Sequence, residues 1–232
     1  MENKGTVLII GAGASGITAA VSAARLGVPV RLVDRMPQAG RKLLVCGAGR
    51  CNLSNERLEE SFYNKEAGPL VRSVFSRFGK KAIQEFFTEL GLIMYSEEGR
   101  IFPVTNQASS VLRVLTIELA RLGVVPEHNC DIIRIEKTPP GFSAVTARGG
   151  AIRCEKVIIA SGGKSYPATG SNGSGYILVQ GLGHKIIAPV PAAVPLVVKD
   201  RFCHLLQGQR IFAGVEGFVE GKPVCRADGD IL

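Results

Sequence analysis

No stretch of this 232-residue chain is apolar for long enough to cross a membrane. A spanning helix needs ~20 such residues, and the first apolar run is a short one that stops at Gly11. No basic region followed by an apolar signal core opens the chain, so the cytosol is the expected compartment and no membrane partner is expected. Histidine is scarce: His128, His184 and His204 are scattered, and no CxxC pair accompanies them. That combination gives no zinc-binding pattern. In the cytosol, Cys46, Cys51, Cys130, Cys154, Cys203 and Cys225 read as thiols rather than a disulfide framework. The formal net charge is +8, a field that attracts anions, dinucleotides and nucleic acid among them. The basic residues are nevertheless spread along the chain, without an arginine-rich tract, zinc finger or RNA-binding signature, so nucleic acid is not the expected partner. Internal repeats and low-complexity segments are also absent. Hydrophobic residues make up 46% and charged residues 21%, a soluble globular composition.

What is present is concentrated at the start, in TVLIIGAGASGITAAVSAARLGVPVRLVDR. An apolar strand from Val7 to Ile10 feeds a turn with Gly11, Gly13 and Gly16. A helical stretch follows with Ala20 on its packing side, then Gly27, a second strand around Val30 to Val33, and Asp34 at its end. Gly11 permits the tight strand-to-helix turn, Gly13 lets the backbone approach a pyrophosphate, and Gly16 lets helix and strand pack closely. The helix N-terminus, with Ala12, Ala14 and Ser15 around it, offers N–H groups and a positive dipole end to phosphates. Asp34 lies about 20 residues past the turn, where an acid accepts hydrogen bonds from a ribose. A 2′-phosphate would be repelled by Asp34, although Arg35 beside it offsets that repulsion.

Farther along, residues 37 to 55 are rich in Gly, Arg and Lys and are expected to form a ligand-facing loop. Residues 66 to 91 read as two helices stopped by Gly91. LIMYSEEGRIFP suggests two short strands about a turn at Glu98-Gly99, and NQASSVLRVLTIELARLG an amphipathic helix with apolar residues at 111, 112, 115, 119 and 122. Residues 129 to 136 read as a strand; FSAVTA, AIRC and KVIIAS follow as three short strands in succession, a β-meander. Residues 173 to 182 look helical. From Pro189 the character changes: Pro189, Pro191 and Pro195 precede VPLVV, and RIFAGVEGFVEGKPVC reads as a hairpin turning at Glu220-Gly221. The expected fold class is α/β. A Rossmann-like cofactor domain, parallel sheet plus β-meander, would occupy residues 1–188, and the beginning of an antiparallel β-rich domain residues 189–232. One dinucleotide fingerprint is present; a second, as a separate nicotinamide domain would need, is not.

Two further stretches carry chemistry. In the loop around Arg41, Lys42, Gly47, Gly49, Arg50, Cys51 and Asn52, glycines allow close backbone approach and the cations suit a diphosphate or an anionic reduced ring. Cys46 and Cys51, with a cation between them, are a candidate redox pair, since a thiol beside a positive charge is activated. The alternative is that both simply pack. The strand end at Ser161, Gly162 and Gly163 can place main-chain N–H groups beside a cofactor. Tyr166, His184 and His204 are acid–base candidates with no geometry fixed by spacing, so no catalytic residue is assigned and no metal is expected.

Four stretches, GAGASGITAA…LVDR, GRKLLVCGAGRCNLSN, GRIFPVTNQASSVL, and IIASGGKSYPATGSNGSGYILVQGLGHKI followed by PVPAAVPL, resemble the bacterial NAD(P)/FAD-dependent oxidoreductases of the aminoacetone-oxidase-like kind. That family includes a flavoprotein of the bile-acid-inducible pathway. The resemblance implies an FAD-binding domain with an inserted β-rich domain. It implies FAD contacts from Gly11 to Gly16, Asp34, Arg41, Lys42, the Gly47 to Asn52 loop and Ser161 to Gly163; by analogy with related flavoproteins, the backbone near Ile132 meets the adenine. Cys46 stands where Ser is expected and Ser161 where Thr is expected. Members of the family continue well beyond this end and return to the flavin, so the chain reads as C-terminally truncated and is expected to hold FAD weakly alone. The expected activity is hydride transfer between FAD and NAD(P)H or a small organic substrate, the cofactor supplying the chemistry. The rival readings are a flavin disulfide reductase using Cys46 and Cys51, an FAD protein that binds or modifies RNA, and an inactive remnant. Oligomeric state is not readable.

Overall fold

A computed structural model describes residues 5–191, 199, 201–206, 208–209 and 211–231. The chain divides into two compact units, Met1–Ile187 and Ala188–Leu232. In the first, strand β1 (Val7–Ile10) leads through the glycine turn into helix α1 (Ala14–Arg25) and strand β2 (Val30–Val33). Helix α2 (Arg41–Val45), the short strand β3 (Ser54–Asn55), helices α3 (Gly68–Phe75) and α4 (Lys80–Glu89), the hairpin β4 (Met94–Glu97) and β5 (Arg100–Pro103), and helix α5 (Ala108–Arg121) come next. Strands β6 (Ile132–Thr138), β7 (Gly141–Thr146), β8 (Ala151–Cys154) and β9 (Lys156–Ile159) and helix α6 (Ser174–Gly181) complete the unit.

The central sheet is parallel, in the order β2-β1-β9. Its side chains alternate between two cores, as the period of a strand requires. Ile9 and Leu32 face one way, into a cluster with Ile17, Ala20 and Val21 of α1 and Val111, Leu115 and Leu119 of α5. Leu8, Ile10 and Val33 face the other way, into a cluster with Ile135, Ala144 and Ile152 of an antiparallel sheet and Leu178 of α6. Each large aliphatic side chain so buried contributes about 1.5–3 kcal/mol. The mixed α/β class and the Rossmann-like start are those the sequence implies.

Two local expectations differ from what is observed. Of the three strands read as a meander, FSAVTA and AIRC pair antiparallel as β7 and β8, with β6 alongside. KVII does not continue that sheet; it crosses to β1 and pairs with it in parallel, Val7 opposite Lys156 and Ile10 opposite Ile159. Pairing with β1 packs Val157 and Ile159 against the second core, which the antiparallel edge of β8 would not do. In the segment expected to be an irregular loop, RKLLV forms one helical turn whose Leu43 joins the core.

In the second unit, β10 (Ile211–Val219) and β11 (Lys222–Ile231) form an antiparallel hairpin about Glu220-Gly221, with a register shift between Gly217 and Phe218. Pro195 and VPLVV lie outside the described residues. No helix among the described residues is long and apolar enough to cross a membrane.

A carboxylate fastens α1 to α5 behind the central sheet. Glu118 is 7% exposed; it accepts hydrogen bonds from Arg25 Nε at 2.8 Å and from Arg121 Nε at 2.6 Å. Arg25 also reaches Glu89 of α4 at 3.0 Å. The Arg121 hydrogen bond, with Arg25 assisting against desolvation, draws the Glu118 carboxyl down to about 2. Because the folded value lies below the ordinary Glu value of about 4.3, the stabilisation is fully present above that pH. It is lost as pH falls through the folded value. Glu118→Gln is therefore expected to cost roughly 1–3 kcal/mol at neutral pH. In urea titrations, the gap between the variant and the native chain should narrow as pH falls from 5 towards 2. A gap independent of pH would contradict this.

Candidate functional site

At the carboxyl end of β1 the backbone passes through a space that excludes side chains. Gly11 has φ +108°, and a Cβ there would lie 2.5 Å from the carbonyl oxygen of Ala160 at the end of β9. A Cβ on Gly16 would overlap the Gly11 carbonyl. Gly13 differs: a Cβ there meets nothing within 4 Å. Its open side is the N-terminus of α1, which no side chain caps. Uncapped N–H groups at the positive end of a twelve-residue helix suit an anion such as a diphosphate.

Asp34 ties this turn to the end of β2. One carboxylate oxygen accepts the Ala12 N–H at 2.6 Å and the other the Met36 N–H at 2.7 Å. The Asp34 main chain is held in turn, its N–H by Glu127 O and its carbonyl by Cys130 N, both at 2.9 Å. A carboxylate has about four lone-pair sites, so these two bonds leave it able to accept from a ribose.

These groups open onto a cavity of about 840 Å3, within the range of about 300–1,000 Å3 usual for ligand sites. Of the residues singled out from the sequence, Gly11 to Ser15, Asp34, Arg35, Arg41, Lys42, Cys51, Asn52, Ile132, Ser161 and Gly162 line it. Ile132 is buried at the start of β6. Gly16, Gly47, Gly49, Arg50 and Gly163 do not line it. Gly16 serves packing, and a Cβ on Gly163 would lie 3.2 Å from the Tyr176 hydroxyl.

Arg50 requires a correction. Its guanidinium donates to the Tyr95 hydroxyl and Glu97 Oε2, each at 2.7 Å, and to Asn106 Oδ1 at 3.0 Å. It also lies 4.1 Å above the Phe102 ring. Arg50 thus anchors the 46–52 loop to the β4–β5 hairpin. Arg41 and Lys42 face the cavity but also reach across to the loop before α6: Lys42 Nζ donates to Ser165 O at 2.5 Å and Arg41 to Ala168 O at 3.3 Å. Arg35 stands 3.9 Å from Asp131, which tempers its charge beside Asp34.

Cys46 is exposed and Cys51 buried, both as free thiols lining the cavity. Burial, with Cys46 close by, pushes the Cys51 thiol up to about 11. With Arg50 committed elsewhere, Cys51 lacks the cation expected to activate it. Neither Tyr166 nor His184 lines the cavity; His204 belongs to the second unit. Among the described residues no cluster of three His, Cys, Asp or Glu could hold a metal.

The wall also includes Met36, Cys130, Asp131, Thr169, Ser171 and Ser174, which sequence reasoning missed. The first three sit beside Asp34 because Glu127 to Cys130 bond to the end of β2, a pairing invisible in local pattern. Ser174 carries a usable signal: Asn172 Oδ1 accepts the Ser174 N–H at 3.1 Å, an Asx-turn leading into α6.

A family model described as HI0933-like protein Rossmann domain matches residues 5–221. The chain is 40% identical over 222 residues to a 3-dehydro-bile acid delta(4,6)-reductase of Clostridium scindens, covering 95% of this chain and 54% of that protein. It is 28% identical over 209 residues to a ribosomal RNA dihydrouridine synthase of Escherichia coli, covering 90% and 51%. The chain thus spans about half the length of the curated relatives it matches. Among solved structures, the open conformation of a flavocytochrome c3 fumarate reductase superposes with a TM-score of 0.53 at 16% identity, covering 77% of this chain and 41% of that one; that likeness shows a shared fold.

Removing the Arg50 anchor tests its assignment. Arg50→Ala should loosen the 46–52 loop and lower Tm by a few degrees. Arg50→Lys should restore little, because an ammonium cannot fork between Tyr95, Glu97 and Asn106. Full recovery by Lys in a thermal melt would refute the anchoring geometry.

Proposed function

The chain belongs to the HI0933-like Rossmann-domain family, and on that premise we propose that it forms the dinucleotide-holding part of an FAD-dependent oxidoreductase. The observation that carries the reading is the joint placement of the uncapped α1 N-terminus, the open side of Gly13 and the Asp34 carboxylate on one cavity. Those groups suit the diphosphate and ribose of an ADP moiety, and Ile132, on the same wall, is read as the adenine contact. Bound FAD would supply hydride acceptance and donation. The protein's part is to bind and orient it. The α1 N–H groups take diphosphate oxygens, Asp34 accepts from the ribose, and Arg41 and Lys42 add positive charge after releasing the 165 and 168 carbonyls. Asn52, Ser161 and Gly162 complete the wall.

The reaction type is narrowed by two relatives. A 3-dehydro-bile acid delta(4,6)-reductase and a dihydrouridine synthase both bear names that denote hydrogen added across a carbon–carbon double bond conjugated to a carbonyl. Reduction of such a bond by hydride from the flavin, with NAD(P)H as electron source, is the proposed activity. A small organic enone is favoured over RNA because the reductase is the more similar relative, 40% against 28% identical. The net charge of +8 supports RNA as the second reading.

Titration of the chain with FAD, FMN and NAD+ tests the cofactor assignment. FAD should bind at least tenfold more tightly than FMN, since the ADP half meets most of these groups. Asp34→Ala, which strands two backbone N–H groups as well, should weaken FAD by about 10–100-fold, or 1.4–2.8 kcal/mol. FMN binding should change little. Equal affinity for FAD and FMN would overturn the reading. For the reaction, a flavin-loaded sample reduced without oxygen should be reoxidised by a 3-keto-4-ene steroid. Reoxidation only by uridine-containing RNA would favour the second reading.

A further inference from the structure

Helix α2 ends at Val45 with Cys46 as its C-cap, and the chain then winds back on itself before running into β3. Gly47, Ala48 and Gly49 all have left-handed backbone, with φ of 57°, 54° and 82°, and Cys51 has φ 62°. The Cys46 carbonyl accepts the N–H of Gly49 at 3.1 Å and that of Cys51 at 2.9 Å. The turn is therefore a closed ring with Cys46 and Cys51 at its neck. A main-chain bond of that length holds the two Cα atoms within the separation a disulfide spans, about 4.4–6.8 Å. The Cys46 thiol is near enough to the Cys51 thiol to interact with it by charge and by hydrogen bonding. Cys46 is exposed and Cys51 buried, and both are on the cavity wall. A left-handed cysteine is uncommon and strained. Here the strain brings Cys51 back towards Cys46.

We propose that Cys46 and Cys51 are a modification site that closes into a reversible disulfide by exchange with a low-molecular-weight disulfide such as oxidised glutathione. Cys46, the accessible thiol, attacks as thiolate. One sulfur–sulfur bond breaks, one forms, and the first thiol of the reagent departs. Cys51 then attacks the Cys46 sulfur and expels the second reagent thiol, which takes up the Cys51 proton. Two cysteines lose two electrons and one external disulfide gains them. The cross-link fastens the segment leading to Asn52 and so stiffens one wall of the cavity. Turnover as a dithiol nucleophile is a different matter, and nothing activates Cys51 for it.

The site is convenient to read, because trypsin cuts after Lys42, Arg50 and Arg57 and separates the two cysteines. The full chain is incubated with oxidised glutathione, free thiols are alkylated in denaturant, and the digest is mapped by mass spectrometry. The expected result is peptides 43–50 and 51–57 joined by a bond that dithiothreitol releases. Cys51→Ser should leave a lasting glutathione adduct on Cys46; Cys46→Ser should leave Cys51 unmodified until the protein is unfolded. Both peptides alkylated in the native chain, a lasting adduct on Cys46 alone, or a link from either residue to Cys130 would each overturn the proposal. The native map decides the matter even if a variant fails to fold.

Discussion

The cavity exists because three pieces of backbone meet where no Cβ fits. Gly11, Gly16 and the end of β9 at Ala160 approach so closely that a methyl group on either glycine would collide with main chain. That approach sets α1 against the parallel sheet, points the helix N-terminus at the carboxyl ends of β1 and β9, and leaves Gly13 facing open space. The rest is support. Asp34 bonds the turn to the end of β2, and the two cores press on the sheet from opposite faces. The Glu118 cluster holds α1 to α5 on the far side.

The supporting elements follow from ordinary propensities, and the site follows from departures from them. Its wall includes five residues of positive φ: Gly11, Gly40, Cys51, Gly162 and Gly170. Strained or glycine-dependent backbone at one edge of a sheet is costly, and it persists where surrounding structure over-determines it. Here that structure includes the Arg50 knot with Tyr95, Glu97, Asn106 and Phe102, and the ties from Lys42 and Arg41 to the 165 and 168 carbonyls.

Much of this was legible in the chain before any coordinates. The β1–α1–β2 start was readable because each step carries its own signal: apolar run, glycine spacing, helical period, terminal acid. The β4–β5 hairpin and the α5 stripe were readable for the same reason. The destination of β9 was not. KVII reads the same whether it extends a meander or joins the parallel sheet, and only the vacant edge of β1 decides between them. The role of Arg50 was hidden because a cation in a glycine-rich loop looks alike whether it awaits a phosphate or is already held by Glu97, 47 residues away. Cys130 and Asp131 were missed because a long-range bond between Cys130 and Asp34 brings them in.

The central claim is that the α1 N-terminus and Asp34 receive the ADP half of a dinucleotide. The most direct measurement is residue-resolved amide NMR of the chain with and without ADP, which lacks the flavin altogether. The account predicts shifted and exchange-protected amides at Gly13 to Gly16 and at Asp34 to Met36. Unchanged amides at both places at saturating ADP, or changes confined to the 211–231 hairpin, would contradict it.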